Sequence, residues 1–265
     1  METERAKSVE EIQSLLLEHL AGFPEKTTEF SSFFGLKRVT SSLELAAVAA
    51  KAKGQGISAG KGGKDIVPRE YEGGYKVWES EGDAVRFLEN SGWFCAGLNG
   101  KRVLEIGCGS GLIGIVCLKM GCRDAIFQDF NQDVLDFHTR INVAINGKDL
   151  LERSRFCQAD WTSFSENREF LDSIGHEGVD LIFGADVLYE TRNYPSLLEL
   201  FSKSLRPNGQ VLIFTKSVYF GNTGNSADFE EAVAQDGRFE CQEIECPWVG
   251  QGKNKEVLAL SFKKK

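Results

Sequence analysis

The sequence predicts an α/β fold: an open, mostly parallel sheet with helices on both faces and an antiparallel pair of strands at the C-terminal end. Three observations carry this. Val103, Leu104 and Ile106 form a short apolar strand that runs straight into Gly107, Gly109 and Gly111, and a helical stretch follows over 112–120. Further short apolar runs that end in acids, at 124–129, 156–161 and 179–189, alternate with helical patterns. Two last strand-like runs, 238–246 and 255–262, flank a turn that contains Gly250 and Gly252.

In chain order, Ile12, Leu15, Leu16 and Leu20 recur at helical spacing, so residues 1–20 contain a short amphipathic helix expected to pack on the main domain. Phe30, Phe33 and Phe34 form an aromatic cluster able to dock. Residues 43–52 read as an alanine-rich helix and 53–64 as a Gly- and Lys-rich linker. The domain boundary is placed there, giving an arm over 1–64 and a main domain over 65–265. Deleting residues 1–60 is then expected to leave cofactor affinity nearly intact. Residues 65–79 concentrate Tyr71, Glu72, Tyr75, Trp78 and Glu79 around Gly73-Gly74, a turn or a close backbone approach. Helices are expected over 83–90, 131–146, 194–205 and 227–235, and a fifth strand over 210–217.

Composition narrows the function. The chain has 265 residues, 31 basic and 39 acidic, for a net charge of −8. That balance argues against a nucleic-acid binder working through a general basic surface. The seven cysteines form no CxxC pair and several sit in apolar runs, as expected of reduced intracellular thiols. Neither they nor His19, His138 and His176 have metal-ligand spacing, so no metal is expected. No apolar run is long enough to span a bilayer. With no heptad or apolar stripe, a monomer is expected.

The strand, glycine turn and helix N-terminus form a nucleotide cradle. Gly109 to Gly114 fits the dinucleotide pattern GxGxxG, which alone is weak. The wider string Glu105-x-Gly107-x-Gly109-x-Gly111 resembles motif I of the seven-strand S-adenosylmethionine methyltransferases. The carboxylate agrees with this. It suits a ligand bearing a sulfonium and an ammonium, and it repels a pyrophosphate.

Two more segments narrow the resemblance. Tyr71-Glu72-Gly73-Gly74, with Lys76, Trp78 and Glu79, is similar to the YEGGxKxWE segment of the protein-histidine methyltransferases related to histidine protein methyltransferase 1. Lys216, Tyr219, Phe220, Gly221 and Gly224 resemble that family's KxxYFGxGG region. Gly184-Ala185-Asp186-Val187-Leu188-Tyr189 looks more like the related protein-lysine enzymes, so the acceptor stays open between histidine and lysine. A module that binds the cofactor without catalysis is a further reading.

The resemblance implies a Rossmann-like seven-strand sheet ending in the antiparallel hairpin. It also implies S-adenosylmethionine as cofactor and a protein substrate in the cytoplasm or nucleus. The family substrate is the third protein of the large ribosomal subunit, and no direct nucleic-acid partner is expected. Cofactor contacts are expected from Trp78, Glu105, Gly107, Cys108, Gly109, Asp129, Asn131, Asp160, Trp161 and Asp186. Asp129 would take the ribose hydroxyls, Phe130 or Asn131 would flank the adenine, and Asp160 would take its amino group. An imidazole acceptor needs a group that fixes its tautomer, and Asp186 and Glu72 are the candidates. Tyr75, Trp78, Tyr189, Tyr219 and Phe220 would wall the slot, with Tyr189 and Tyr219 counted with the catalytic set.

Overall fold

The computed structural model describes residues 7–22, 24–31, 35–40, 66–67, 69–91, 97–247 and 254–264. The expected helix at 43–52, the linker at 53–64, the boundary at 64/65, Phe33, Phe34 and the turn glycines Gly250 and Gly252 lie outside them.

The N-terminal segment holds helix α1 (Val9–Gly22) and an antiparallel hairpin, β1 (Thr27–Ser31) and β2 (Leu36–Val39), which the sequence reading missed. Helix α2 (Glu79–Asn90) begins four residues earlier than expected, directly after Trp78. There follow β3 (Arg102–Ile106), α3 (Leu112–Lys119) and β4 (Asp124–Asp129). Helix α4 comprises Gln132–Val134, a π turn over Leu135–Thr139, and Arg140–Asn146. Then come α5 (Lys148–Glu152), β5 (Ser154–Gln158), α6 (Arg168–Ile174) and β6 (Val179–Ala185). The chain continues with α7 (Tyr194–Ser204), β7 (Leu205–Thr215), α8 (Ser226–Asp236), β8 (Phe239–Glu243) and β9 (Glu256–Phe262).

Seven strands form one sheet in the order β5-β4-β3-β6-β7-β9-β8. The first five pair in parallel, and β9 is antiparallel to both neighbours. The expected terminal pair is therefore present, with its last strand inserted between β7 and β8. Apolar side chains fill both faces. Val103, Phe127, Phe183 and Phe214 pack with α2 and α3, while Leu104, Ile126, Ile182 and Ile213 pack with α6, α7 and α8. That double burial is why these strands read as continuous apolar runs.

A smaller cluster ties the N-terminal segment to the sheet domain. Ile12, Leu16 and Leu20 of α1 and Val39 of β2 bury against Phe137 and Ile141 of α4. The amphipathic helix thus packs on the main domain. The π turn helps here: one extra residue per turn rotates Phe137 outward to α1 while His138 and Thr139 face inward, where both are fully buried.

Candidate active site

A cavity of about 210 Å³ opens at the carboxyl ends of the parallel strands. It sits where the strand order reverses between β3 and β6, the usual ligand crevice of an open α/β sheet. Its floor is bare backbone. Gly107 has φ +54°, and a Cβ there would meet Val187 at 3.1 Å and the Trp161 ring at 3.3 Å. Gly109 has φ +47°, and its Cβ would lie 3.1 Å from the carbonyl oxygen of Gly74. Gly73-Gly74 is thus a close approach of one backbone to another. Gly114 explains the overlapping dinucleotide pattern, because a Cβ there would stand 2.4 Å from the Phe127 ring. That glycine lets α3 lie against β4, whatever the ligand.

Buried carboxyls hold this floor in shape. Glu105 Oε2 accepts from Gly114 N at 2.7 Å, and burial pushes its carboxyl well above the usual range. Glu81 of α2 accepts from Ser110 Oγ and, at 3.2 Å, from Leu112 N. It thereby caps α3, and burial lifts its pKa to about 7. Asp129 accepts from Gly109 N at 2.9 Å through Oδ2 and from Asn131 N at 3.0 Å through Oδ1. Burial raises its pKa to about 6. Each oxygen keeps a second lone pair, which a ribose hydroxyl can use. Cys108 lines the same floor, and burial keeps its thiol neutral.

Gln128, an isolated polar residue inside the apolar run of β4, organises the next wall. Its Oε1 accepts from Gly107 N at 3.2 Å and from Trp161 Nε1 at 2.8 Å, and its Nε2 donates to Ala159 O at 2.8 Å. It fixes the Trp161 ring over the glycine turn. Asp160 and Phe130 line the cavity beside it. Asp160 Oδ1 is engaged by Thr162 N and Thr162 Oγ1, both at 2.8 Å, in a local turn.

The opposite wall carries Asp186, Glu72, Trp78 and Tyr189. Asp186 follows β6 with φ +54°, a strained value for a residue with a side chain. Its Oδ2 accepts from Ser80 N at 3.1 Å. Its Oδ1 is buried, makes no hydrogen bond among the described residues, and lies 3.8 Å from Lys216 Nζ. Both oxygens of Glu72 are engaged, by Arg69 N at 2.7 Å and by the Tyr189 hydroxyl at 2.7 Å. Burial and the Glu72 carboxylate keep the Tyr189 phenol protonated. Trp78 Nε1 donates to Gly73 O at 3.2 Å, and its ring faces Lys76 Nζ at 4.5 Å from the ring centroid.

Four expected residues fall elsewhere. Asn131 does not line the cavity: its Oδ1 accepts from Glu72 N and its Nδ2 donates to Glu70 O, so it clamps the 70–72 segment to the end of β4. Phe130 lines the wall in its place. Tyr219 lies outside the lining, with its hydroxyl 2.9 Å from Thr215 Oγ1 and close enough to Asp186 to feel its charge. Tyr75 is core, stacked on His138 and Tyr71. Phe220 is 89% exposed.

The sequence reading also missed Glu81, Gln128, Arg69, Arg192 and the brackets on α4. His138 Nδ1 donates to Gly74 O at 3.0 Å, and burial drops its pKa to about 4, so the ring is neutral. Thr139 Oγ1 donates to Gly109 O at 2.7 Å. Asn142 joins Val39 N to Ser110 O, at 2.9 Å each. Only Gln128 had a visible signal, its polarity within a buried strand.

This lining suits S-adenosylmethionine. Even without the buried Glu105 and Glu81, the lining carboxyls Glu72, Asp129, Asp160 and Asp186 outnumber the cationic Arg69, Lys76 and Arg192, which favours a cationic ligand. Phe130 and Trp161 supply a flat apolar end for a base. Asp186 Oδ1 is buried, makes no hydrogen bond among the described residues and is ion-paired with Lys216 at 3.8 Å, so it can take a donor from a ligand.

A family model described as lysine methyltransferase matches residues 69–232. The chain belongs to this methyltransferase family. Among curated relatives, a Dictyostelium discoideum protein named histidine protein methyltransferase 1 homolog is 35% identical over 200 residues, covering 75% of this chain and 61% of its own. Danio rerio protein N-lysine methyltransferase METTL21A is 35% identical over 123 residues, 46% of this chain and 51% of its own. The chain therefore spans about three-fifths of the length of the histidine-methyltransferase relative. Among solved structures, the glycopeptide N-methyltransferase MtfA complexed with sinefungin superposes with a TM-score of 0.53 at 13% identity, over 71% of this chain and 96% of that one. That likeness shows the fold alone, and S-adenosylmethionine is the cofactor of the methyltransferase family that the chain belongs to.

Proposed function

We propose that the chain is a protein methyltransferase that methylates a ring nitrogen of a histidine, in a ribosomal protein of the large subunit. The observation that carries the reading is Asp186, whose Oδ1 is buried in the cavity wall without a hydrogen bond. The relatives named for protein-histidine methylation support it.

S-adenosylmethionine, when bound, supplies an electrophilic methyl group on a sulfonium that leaves as a neutral thioether. The chain supplies position. Gly107 and Gly109 give close backbone approach, Asp129 and Asp160 offer acceptors, and Trp78, Trp161 and Tyr189 exclude water. An imidazole, with an unperturbed pKa of about 6.5, already has a free lone pair at neutral pH. It needs only its other N–H held, and Asp186 Oδ1, beside Lys216 but without a hydrogen bond among the described residues, is the acceptor for it. Glu72 is less suited, because Arg69 and Tyr189 already hold both its oxygens and leave one lone pair on each.

The second reading is a lysine acceptor. It rests on the matching family model and on METTL21A. A carboxylate beside a lysine ammonium stabilises the protonated, unreactive form, so the Asp186 wall suits lysine less well. The test is transfer of labelled methyl from S-adenosylmethionine into isolated large ribosomal subunits, with the methyl group located by mass spectrometry. Label on histidine, reduced at least about a hundredfold in Asp186→Asn, is the expected result. Label on lysine moves the function to the second reading. Turnover within threefold of wild type in Asp186→Asn refutes the orienting role.

A further inference from the structure

Four large hydrophobic side chains stand out as exposed among the described residues: Leu15, Leu171, Val218 and Phe220. The two most exposed, Val218 at 49% and Phe220 at 89%, share the loop after β7. This loop touches the cavity wall at both its ends. Lys216, at its start, lies 3.8 Å from Asp186, and Gly224, at its end, donates to the carbonyl of Tyr189 at 2.9 Å. Asp186 and Tyr189 both line the cavity.

The exposure is not the fraying of a loose loop. Ser217 Oγ and Val218 N both bond Asn254 Oδ1, at 2.5 and 2.9 Å, and Asn254 Nδ2 returns to Val218 O at 3.2 Å. Asn222 N reaches Tyr219 O at 3.2 Å, and Thr191 N reaches Thr223 Oγ1 at 3.1 Å. A Cβ on Gly224 would stand 1.9 Å from Leu188 O, so the loop is seated directly on the chain that leaves β6. Tyr219 turns inward and is buried. The next residue is held out into water by a loop pinned at both ends, so Phe220 and Val218 together present a fixed apolar surface to solvent.

We propose that Phe220 and Val218 form the docking surface for the protein substrate, receiving an apolar side chain close in sequence to the methyl-accepting residue. The inference rests on the proposed function. An acceptor side chain that reaches Asp186 brings its own backbone over the wall of Asp186 and Tyr189, to which the 216–224 loop is joined at both ends. The occupant is a polypeptide and not a nucleic acid: the chain carries a net charge of −8, and Glu79 and Glu190 stand at the two ends of the loop, within reach of Lys216 and Thr223. Among the described residues Phe220 is not part of the lining, so the surface selects the substrate without taking part in cofactor binding.

The test uses the full chain as wild type, Phe220→Ser, Phe220→Leu and Val218→Ser. Each is measured with labelled S-adenosylmethionine and two probes, the purified third protein of the large ribosomal subunit and whole large subunits. S-adenosylhomocysteine affinity is measured by calorimetry. Affinity for the purified ribosomal protein, in the presence of S-adenosylhomocysteine, is measured by fluorescence anisotropy. Phe220→Ser is expected to weaken binding of the ribosomal protein and raise its KM about tenfold. Its kcat and S-adenosylhomocysteine affinity are expected to stay within twofold, and Phe220→Leu recovers most of the loss. An unchanged KM in Phe220→Ser and Val218→Ser overturns the docking surface while leaving the proposed function standing. A parallel loss of S-adenosylhomocysteine affinity overturns it by making the loop part of the cofactor site. An effect seen with whole subunits but not with the purified protein overturns the occupant and assigns the contact to ribosomal RNA or a neighbouring protein. Wild type that labels neither probe overturns the proposed function and this inference with it.

Discussion

Asn142→Leu should destabilise the protein and loosen the cofactor floor together. Asn142 is fully buried on α4, between β2 and the glycine turn. Its Oδ1 accepts from Val39 N and its Nδ2 donates to Ser110 O, at 2.9 Å each. Leucine has the same branched shape, is somewhat larger, and makes neither bond. A buried N–H and a buried C=O then lose these partners, at about 1–3 kcal/mol each, for a total of roughly 2–6 kcal/mol. That is a large share of the roughly 5–15 kcal/mol of a typical domain, and it lowers the melting temperature by roughly 5–20 °C. Ser110 also donates to Glu81, so the turn that carries Gly109 and Gly111 loses one of its anchors. Affinity for S-adenosylhomocysteine in calorimetry should fall about tenfold, which corresponds to about 1.4 kcal/mol.

Removing residues 1–40 should act in the same direction, because it deletes Val39 and uncovers Phe137 and Ile141. This revises the expectation that the arm is dispensable for cofactor affinity. In a double-mutant cycle the two changes should be less than additive, since they cut one connection. An Asn142→Leu protein within 0.5 kcal/mol of wild type in urea unfolding, with unchanged S-adenosylhomocysteine affinity, would refute the bracket.

Two other perturbations probe the floor itself. Burial lifts the Glu81 pKa to about 7 in the folded protein from an ordinary 4.5, so the folded state holds its proton longer than the unfolded chain. Its contribution to stability is therefore lost as pH rises from about 4.5 to 7. His138 works in the opposite sense, with a folded pKa near 4, so only a comparison isolates Glu81. Wild type should lose stability relative to Glu81→Gln between pH 5 and pH 7.5 in urea unfolding, and a constant difference would refute the assignment. Gly109→Ala must place a Cβ at φ +47°, 3.1 Å from Gly74 O. It should cost about 1–2 kcal/mol in stability and weaken S-adenosylhomocysteine binding at least tenfold, and unaltered binding in calorimetry would show that the Gly74 segment yields.

The sheet and its cradle were legible in the chain because they depend on local pattern. Strands β3, β4 and β6 are short apolar runs, the glycines at 107, 109 and 111 follow one of them directly, and Asp129 and Asp160 sit at strand ends. All three features follow from burial on two faces and from close approach of a ligand to backbone, which constrain residue type directly. The Gly73-Gly74 approach was also readable, since glycine pairs are costly without a reason.

Only the tertiary structure decided which polar groups face the ligand. Glu81 looks like one more acid on an amphipathic helix, yet the packing of α2 on α3 buries it against Leu112 N. Asn131 and Tyr219 carry the chemistry expected of site residues, but their partners come from segments 59 residues away and from Thr215, and these turn them into brackets. Asp186 and Glu72 were indistinguishable as acids in the chain. They differ because Tyr189 and the Arg69 backbone occupy both oxygens of Glu72, while one oxygen of Asp186 is left without a hydrogen bond. A side chain's free hydrogen-bonding capacity depends on what long-range contacts consume. Sequence pattern sets where a carboxylate can stand, and the fold sets how many lone pairs it has left to give.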